Sequence, residues 1–507
     1  MGIVSEADRD EILEKLVEAL DVAGRVGREV PGPPTISQGT ISAPHPCIFV
    51  RIRANPGPGM HGPNRRQFLA SMLTAGVPVT AGCNGLLDRR TADPSGDVTT
   101  EPTSTPTEEP TQTGDAASDA YRPAAKLLPT QGEGGDRFGL SVAMAGDSAF
   151  IGAPFADTPA GANAGRAAVF HRRGDGWRHA ATLVPEDGGA DELFGWSVAL
   201  DDGLGLVGAK GVGRPDTEYP GAAYVFSGRD GTWRHTATLV PDDAVGGDEV
   251  GCSVALTDDT ALIGAAEADT AAGAKAGAAY VFERHGDRWQ EAATLTPADA
   301  ASAQRFGRSV AIEADTAVIT APNDSDRQGV GEGAAYVFER TDGEWVEQQR
   351  LAPDDEKTWE EFGATLALAE ETAVMGSPND DIGDALSSGS VWVYERTGDG
   401  WKLETRLVAS DSDDEDLFGS GVAVADDTIV VGAMGNEDPN GRYGGSVYLF
   451  ERTNGVWRQQ EKLAPENGGS GEQFGRTVTL SDGTILIGAD KAADKGAATG
   501  AAYVYEG

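Results

Sequence analysis

The sequence predicts an all-β fold: a seven-bladed β-propeller of four-stranded blades, closed by pairing of its N-terminal strand with the last blade. Three observations carry this expectation. A set of markers repeats seven times at a constant spacing of 56 residues, a period that points to propellers or solenoids. Each unit contains four strand-like runs and no helical periodicity. The repeating region opens on the fourth strand of a unit and ends on a third strand, so its two ends complement each other.

The first marker is the dipeptide Phe138-Gly139, which recurs as Phe194-Gly195, Val250-Gly251, Phe306-Gly307, Phe362-Gly363, Phe418-Gly419 and Phe474-Gly475. The second is Gly152-Ala153-Pro154, continued by Gly208-Ala209, Gly264-Ala265, Thr320-Ala321-Pro322, Gly376-Ser377-Pro378, Gly432-Ala433 and Gly488-Ala489. The third is a Trp column, Trp177, Trp233, Trp289, Trp345, Trp401 and Trp457, with Tyr121 one step earlier.

In the fourth unit the strand-like runs are 307–312, 316–321, 334–339 and 345–351. Short turns such as Asp258-Asp259 join the first two strands of a unit. Asp342-Gly343, between the last two, supplies the residue types a tight hairpin needs. Four antiparallel strands, repeated, make a propeller blade. Segment 121–128 would then pair with 501–507 and remove both exposed edges, which otherwise invite aggregation.

The 507 residues carry 40 Lys and Arg against 81 Asp and Glu, a formal net charge of −41. Such a balance excludes a nucleic-acid binder that works by neutralising phosphates. It suits a protein of high-salt surroundings, where counter-ions screen self-repulsion. Three cysteines, Cys47, Cys83 and Cys252, give no disulfide framework. Cys252 lies in a strand-like run and is expected to be a small buried apolar residue.

Ahead of the repeats, Arg65-Arg66 precede a short apolar stretch, 70–79, and then Ala81-Gly82-Cys83. A twin Arg before a short apolar segment is the sign of twin-arginine export. The stretch is too short to span a bilayer. Small residues directly before Cys83 resemble a lipobox, which makes Cys83 the expected lipidation site. Residues 60–83 are thus expected to be a lipoprotein signal, and 1–59 a mis-assigned start or an extension. Residues 84–120, rich in Thr, Pro and acids, have almost nothing to bury and form the expected stalk. The propeller then occupies 121–507.

The Phe-Gly and Gly-Ala-Pro markers resemble FG-GAP repeats, as in integrin α-subunit propellers. With the signal and the acidic composition, the chain resembles a twin-arginine-exported lipoprotein of haloarchaea. The resemblance implies a seven-bladed domain that binds proteins or carbohydrate-bearing surfaces. Many such domains carry an Asp-x-Asp-x-Asp-Gly calcium loop between the first two strands of a blade. Here that connection is a short hairpin with too few oxygen ligands for calcium. The loop starting Asn436-Glu437 and ending Asn440-Gly441 lacks a closing acidic ligand and is expected to be a polar turn. No metal or cofactor site is therefore expected.

No catalytic residues are singled out either. His171, His179, His235 and His285 fall on or near outer strands, away from the axis. No Cys/His metal cluster or strained nucleophile turn is present. The Trp column is expected to pack between blades. Trp196, Trp359 and Trp392 stand outside it as candidates for a specific contact. The long connections, for example 154–165 and 185–193, share one face, where binding on a rigid scaffold normally resides. Their acids, Asp242-Asp243, Asp248-Glu249, Asp380-Asp381 and those of 411–416, favour a cationic or metal-bridged partner.

The expected function is a monomeric, lipid-anchored binding, adhesion or scaffold module on the extracellular face of the membrane. Its partner would be a protein or glycan of the cell envelope, with no nucleic acid and no membrane contact beyond the anchor. The alternative is an extracellular propeller hydrolase or lyase acting on carbohydrate.

Overall fold

The computed structural model of the protein describes residues 121–174, 176–211, 219–229, 231–323, 333–353, 361–437 and 439–507. Arg65, Arg66, Cys83, the stalk, Trp359 and Asp438 lie outside the described residues. Every regular element described is a strand, and the strands form seven four-stranded antiparallel sheets. Blade 1 comprises Ser141–Ala145, Ser148–Ala153, Arg166–Arg173 and Gly176–Leu183, in that order from the axis outward. Blades 2 to 6 repeat the plan, from Phe194–Asp201 in blade 2 to Val456–Leu463 in blade 6. First strands of neighbouring blades adjoin each other around the ring, including blade 7 against blade 1.

Blade 7 is completed from the other end of the chain. Arg122–Leu127 pairs antiparallel with Ala501–Glu506 as the outermost strand of the sheet that also holds Thr477–Ser481 and Thr484–Ala489. A bulge between Pro123 and Ala125 repeats the one between the third and fourth strands of every other blade, as at Val169/Phe170. Leu127 is 3% exposed, as buried as its equivalents Leu183, Leu239, Leu295, Leu351, Leu407 and Leu463. Pro123 has no N–H to donate, and an outer edge strand tolerates that.

The fourth blade tests the sequence boundaries. Its strands run Val310–Glu313, Thr316–Ala321, Ala334–Thr341 and Glu344–Leu351. The first begins three residues later than expected, because Gly307 takes φ of +89° and its N–H and that of Arg308 both donate to the Thr320 carbonyl. The last hairpin turns on Asp342 and Gly343, at φ of +54° and +86°. Both values are left-handed, as this tight turn requires.

The apolar core consists of seven clusters, each drawn from two adjacent blades. The Phe marker sits in these seams. Phe306 is fully buried, edge-on to Tyr336 and Phe338 at centroid separations of 5.6 and 6.1 Å, and packs against Leu262, Val281 and Leu295 of the preceding blade. The Trp column also bridges seams: Trp233 meets Phe150 of blade 1 edge-on at 4.7 Å.

The Gly markers belong to the same seams. A Cβ placed on Gly264 would lie 2.0 Å from the carbonyl oxygen of Gly307 in the next blade. That carbonyl accepts from the Ser253 hydroxyl at 2.8 Å. Ser141 to Gly195, Ser197 to Gly251 and Thr365 to Gly419 repeat this bond, and Thr477 to Gly139 carries it from blade 7 to blade 1. Blade 4 departs from the pattern. Thr320 replaces the glycine, and its hydroxyl donates to the carbonyl of Ser309 and accepts from that residue's N–H.

Candidate functional site

A meander of four strands places its connections on two opposite faces. On the short-turn face, arginines near the ends of third strands are spent in ion pairs. Arg340 holds Asp315 of its own blade and Glu283 of the preceding one at 2.8 Å. Arg396 holds Glu339, and Arg452 holds Asp427 and Glu395. Arg172 reaches Glu506, so the ladder also crosses the blade 7–blade 1 seam. Around the axis on this face the turns are acidic: Asp201, Asp258, Glu313, Glu370, Asp426 and Asp482.

The long-loop face differs at its axial mouth. Positions on both sides of the Phe-Gly marker line it, together with residues at the exit of the second strand. From blade 7 to blade 4 they form a continuous belt of cations and aromatic rings. Asp490 lies between Arg137, at 3.7 Å, and Arg476, at 3.8 Å. The Arg137 guanidinium stands 5.2 Å over the Phe155 ring, which meets Trp196 edge-on at 6.1 Å. Lys210 sits 4.1 Å over the Trp196 ring and pairs with Glu249 at 2.8 Å. Trp196, Lys210, Glu249, Cys252, Glu267, Arg305 and Arg308 then surround a cavity of about 230 Å³, in which Arg305 pairs with Glu267 at 2.9 Å.

Several residues weighed from sequence have other duties. Asp248 and Asp416 are buried and accept the backbone N–H groups of Val245 and Asp413 at 2.8 and 2.9 Å, which closes their own loops. Asp380 is buried beside Arg406 and accepts from Ser390. Asp381 accepts from the N–H of Ser387. These acids build the loops more than they front a partner. Trp392 is buried against Phe362 at the position other blades fill with Tyr224, Tyr280, Tyr336 and Tyr448, so it is core. Of the two described Trp candidates, Trp196 alone lies at the mouth. Cys252 is buried there, and burial pushes its thiol up from the ordinary value.

None of the four histidines joins the mouth. His171 bonds Ser148, His179 bonds Thr182, His235 bonds Thr238, and exposed His285 lies 3.8 Å from Glu283. Among the described residues no three His, Cys, Asp or Glu side chains are placed to hold a metal ion.

Burial raises the carboxyls of Glu192, Asp248, Glu313, Asp416, Glu472 and Asp490 above their ordinary values. For Asp490 burial outweighs the opposing pull of Arg476, Arg137 and Lys491. Two carboxyls go the other way. Asp411 is partly buried, yet Lys462 and Tyr448 hold it low; Tyr443 and Arg442 do the same for Glu415. A group raised in the folded state takes up its proton there before it does in the unfolded chain. Stability therefore rises as the pH falls through the folded value, and the gain is complete below the unfolded values of 3.8 for Asp and 4.5 for Glu. At constant molar salt the melting temperature is expected to be higher at pH 5 than at pH 8. A flat or falling response would show that the burial of these acids does not govern how stability depends on pH.

Fold and mouth together define a closed seven-bladed propeller with one cationic and one acidic axial opening. The chain belongs to the FG-GAP repeat family, whose profile matches residues 121–170, 177–226, 233–282, 289–338, 345–394, 401–450 and 457–505. Each matched unit begins in a fourth strand and ends in the third strand of the next blade, so the family's repeat encloses a seam. Among solved structures, the chain is similar to Sqt1 of Saccharomyces cerevisiae at 10% identity and a TM-score of 0.41, over 72% of this chain and 83% of that one. No curated protein matches the chain.

Apart from Trp196, the belt was not singled out in sequence as a binding surface, although a signal exists. Directly before the Phe marker the chain reads Arg137, Leu193, Glu249, Arg305, Glu361, Leu417 and Gln473; directly after the marker pair it reads Leu140, Trp196, Cys252, Arg308, Ala364, Ser420 and Arg476. These positions vary in chemistry beside a pair that hardly varies, as positions free of the packing requirement would.

Proposed function

We propose that the propeller is a binding module displayed at the cell surface, and that its partner docks on the long-loop face at the axial mouth. The observation that carries this reading is the contiguous belt from Arg476 through Arg137 and Trp196 to Arg308. A rigid ring presents it, and long loops surround it. Display rests on the Arg65-Arg66 pair and on Cys83 as lipid anchor. Cys83→Ser is expected to release the protein from the membrane fraction into the medium. Unchanged membrane association would remove the anchor from the account.

Docking is tested by binding to cell-envelope extract in molar salt. Trp196→Ala with Arg308→Gln should weaken binding at least tenfold. Glu370→Gln with Asp426→Asn on the short-turn face should leave it unchanged. Equal losses from both pairs, or no loss from the first, would refute the assignment. Turnover of a defined glycan by the purified protein would favour an enzyme instead.

A further inference from the structure

We propose that the axial mouth on the long-loop face recognises an acidic polysaccharide, through carboxylate or sulfate groups seated along the belt. This deepens the binding reading above and rests on it. The chain as a whole carries −41, yet Arg137, Lys210, Arg305, Arg308, Arg476 and Lys491 gather at one opening, against Glu249, Glu267 and Asp490 in the same belt.

Lys210 and Arg305 are paired with Glu249 and Glu267, but the state of Arg137, Arg308 and Arg476 separates them from the arginines of the other face. On the short-turn face the ladder arginines donate to carboxylates. At the mouth, the Arg308 side chain is exposed, and its guanidinium has no ion-pair or hydrogen-bond partner among the described residues. Arg137 and Arg476 approach Asp490 only to 3.7 and 3.8 Å, beyond hydrogen-bond reach. Asp490 is itself 0% exposed, and both its carboxylate oxygens lack a hydrogen bond. A buried carboxylate left unsatisfied is costly. Here it stands between two guanidinium groups without taking a hydrogen bond from either; Arg476 gives one donor to the Met434 sulfur at 3.5 Å, and the Arg137 guanidinium makes no hydrogen bond among the described residues. Arg is suited to bidentate capture of a planar carboxylate or of a sulfate.

The shape of the belt selects the carrier. Two groups of cations flank the Phe155 and Trp196 rings, and the cavity of about 230 Å³ beside Trp196 is lined mostly by charged side chains. A chain of sugar rings offers anions at intervals and C–H faces to the aromatic rings between them, together with hydroxyls for Glu249 and Glu267. A polypeptide of acidic side chains offers the anions without the rings. The overall negative charge opposes any polyanion at long range. In molar salt that repulsion is screened beyond about 3 Å, so direct contacts at the mouth decide affinity.

The test measures retention of the full chain, in molar potassium chloride, on immobilised polygalacturonate, dextran sulfate, neutral dextran and polyglutamate. Polygalacturonate or dextran sulfate should retain it, and neutral dextran should not. Arg308→Gln with Arg476→Gln should weaken retention at least tenfold, while Arg284→Gln on the short-turn face should not change it. Arg308→Gln alone, a change at an exposed unpaired residue, should give a smaller loss in the same direction. Retention by neither acidic polysaccharide, retention indifferent to these variants, or equal retention by polyglutamate would overturn the proposal. If the double variant lost envelope binding while no polysaccharide was retained, the docking face would stand and the ligand class would fall. Polysaccharide retention lost in the variant with envelope binding unchanged would refute the docking reading instead.

Discussion

A chain lacking residues 121–128 is expected to lose cooperative folding of the propeller, the largest effect the structure implies for any short deletion. Those residues supply the fourth strand of blade 7, and Leu127 joins Leu486, Ala502 and Val504 against Phe138 and Ile151 of blade 1. Removing them uncovers the edge at Ala501–Glu506 and opens the seam that closes the ring. Leu127→Ala alone should cost about 2–5 kcal/mol, the range for a truncated core leucine. Denaturant melts of both variants in molar salt check this. A truncated chain that melted like the intact one would refute closure by this strand.

The second large effect concerns the markers as a mechanical pair. Phe306→Ala is expected to cost about 3–5 kcal/mol, because the ring fills the seam between blades 3 and 4 and the walls cannot all collapse onto the space. Gly264→Ala should cost about 1–3 kcal/mol by overpacking, since the new methyl would meet a backbone carbonyl of the next blade. Thr320→Gly is the contrasting change. Its site already accommodates a side chain through the exchange with Ser309, so the loss should stay near the ~1 kcal/mol of a glycine placed in a strand. No loss of stability on Gly264→Ala, read from melts, would mean that the glycine column is not a seam contact.

These packing rules explain why the architecture was legible in the sequence. Phe-Gly, the Gly of the second marker and the column that starts at Leu127 meet equivalent neighbours in nearly every blade, with Val250 and Thr320 as the exceptions, so their spacing survives as a period. The ring closure was legible too, because Leu127 sits one period before Leu183. The start of the first strand was placed too early in blade 4, because the bend at Gly307 is fixed by a carbonyl, Thr320, on another strand.

The mouth was harder to read for the opposite reason. Arg137, Arg308 and Arg476 come from three blades, at repeat positions that other blades fill with residues such as Leu, Glu, Ala or Ser, and only the ring brings them to one opening. Acidic loops gave the contrary impression, that this face would draw cations. Asp248, Asp380 and Asp416 proved to be buried loop ties, and a sequence does not distinguish a carboxylate bonded to its own backbone from one facing solvent.

The central claim, that a partner docks at the long-loop mouth, is tested most directly by site-specific photo-crosslinking. A photoreactive residue is placed at Ala364, beside the mouth, or at Glu370, on the acidic turns of the opposite face. Each full-length protein is irradiated with envelope extract in molar salt, and the adducts are compared. The account predicts adducts from position 364 and none from 370. Adducts from 370 instead, or equally from both, would contradict it.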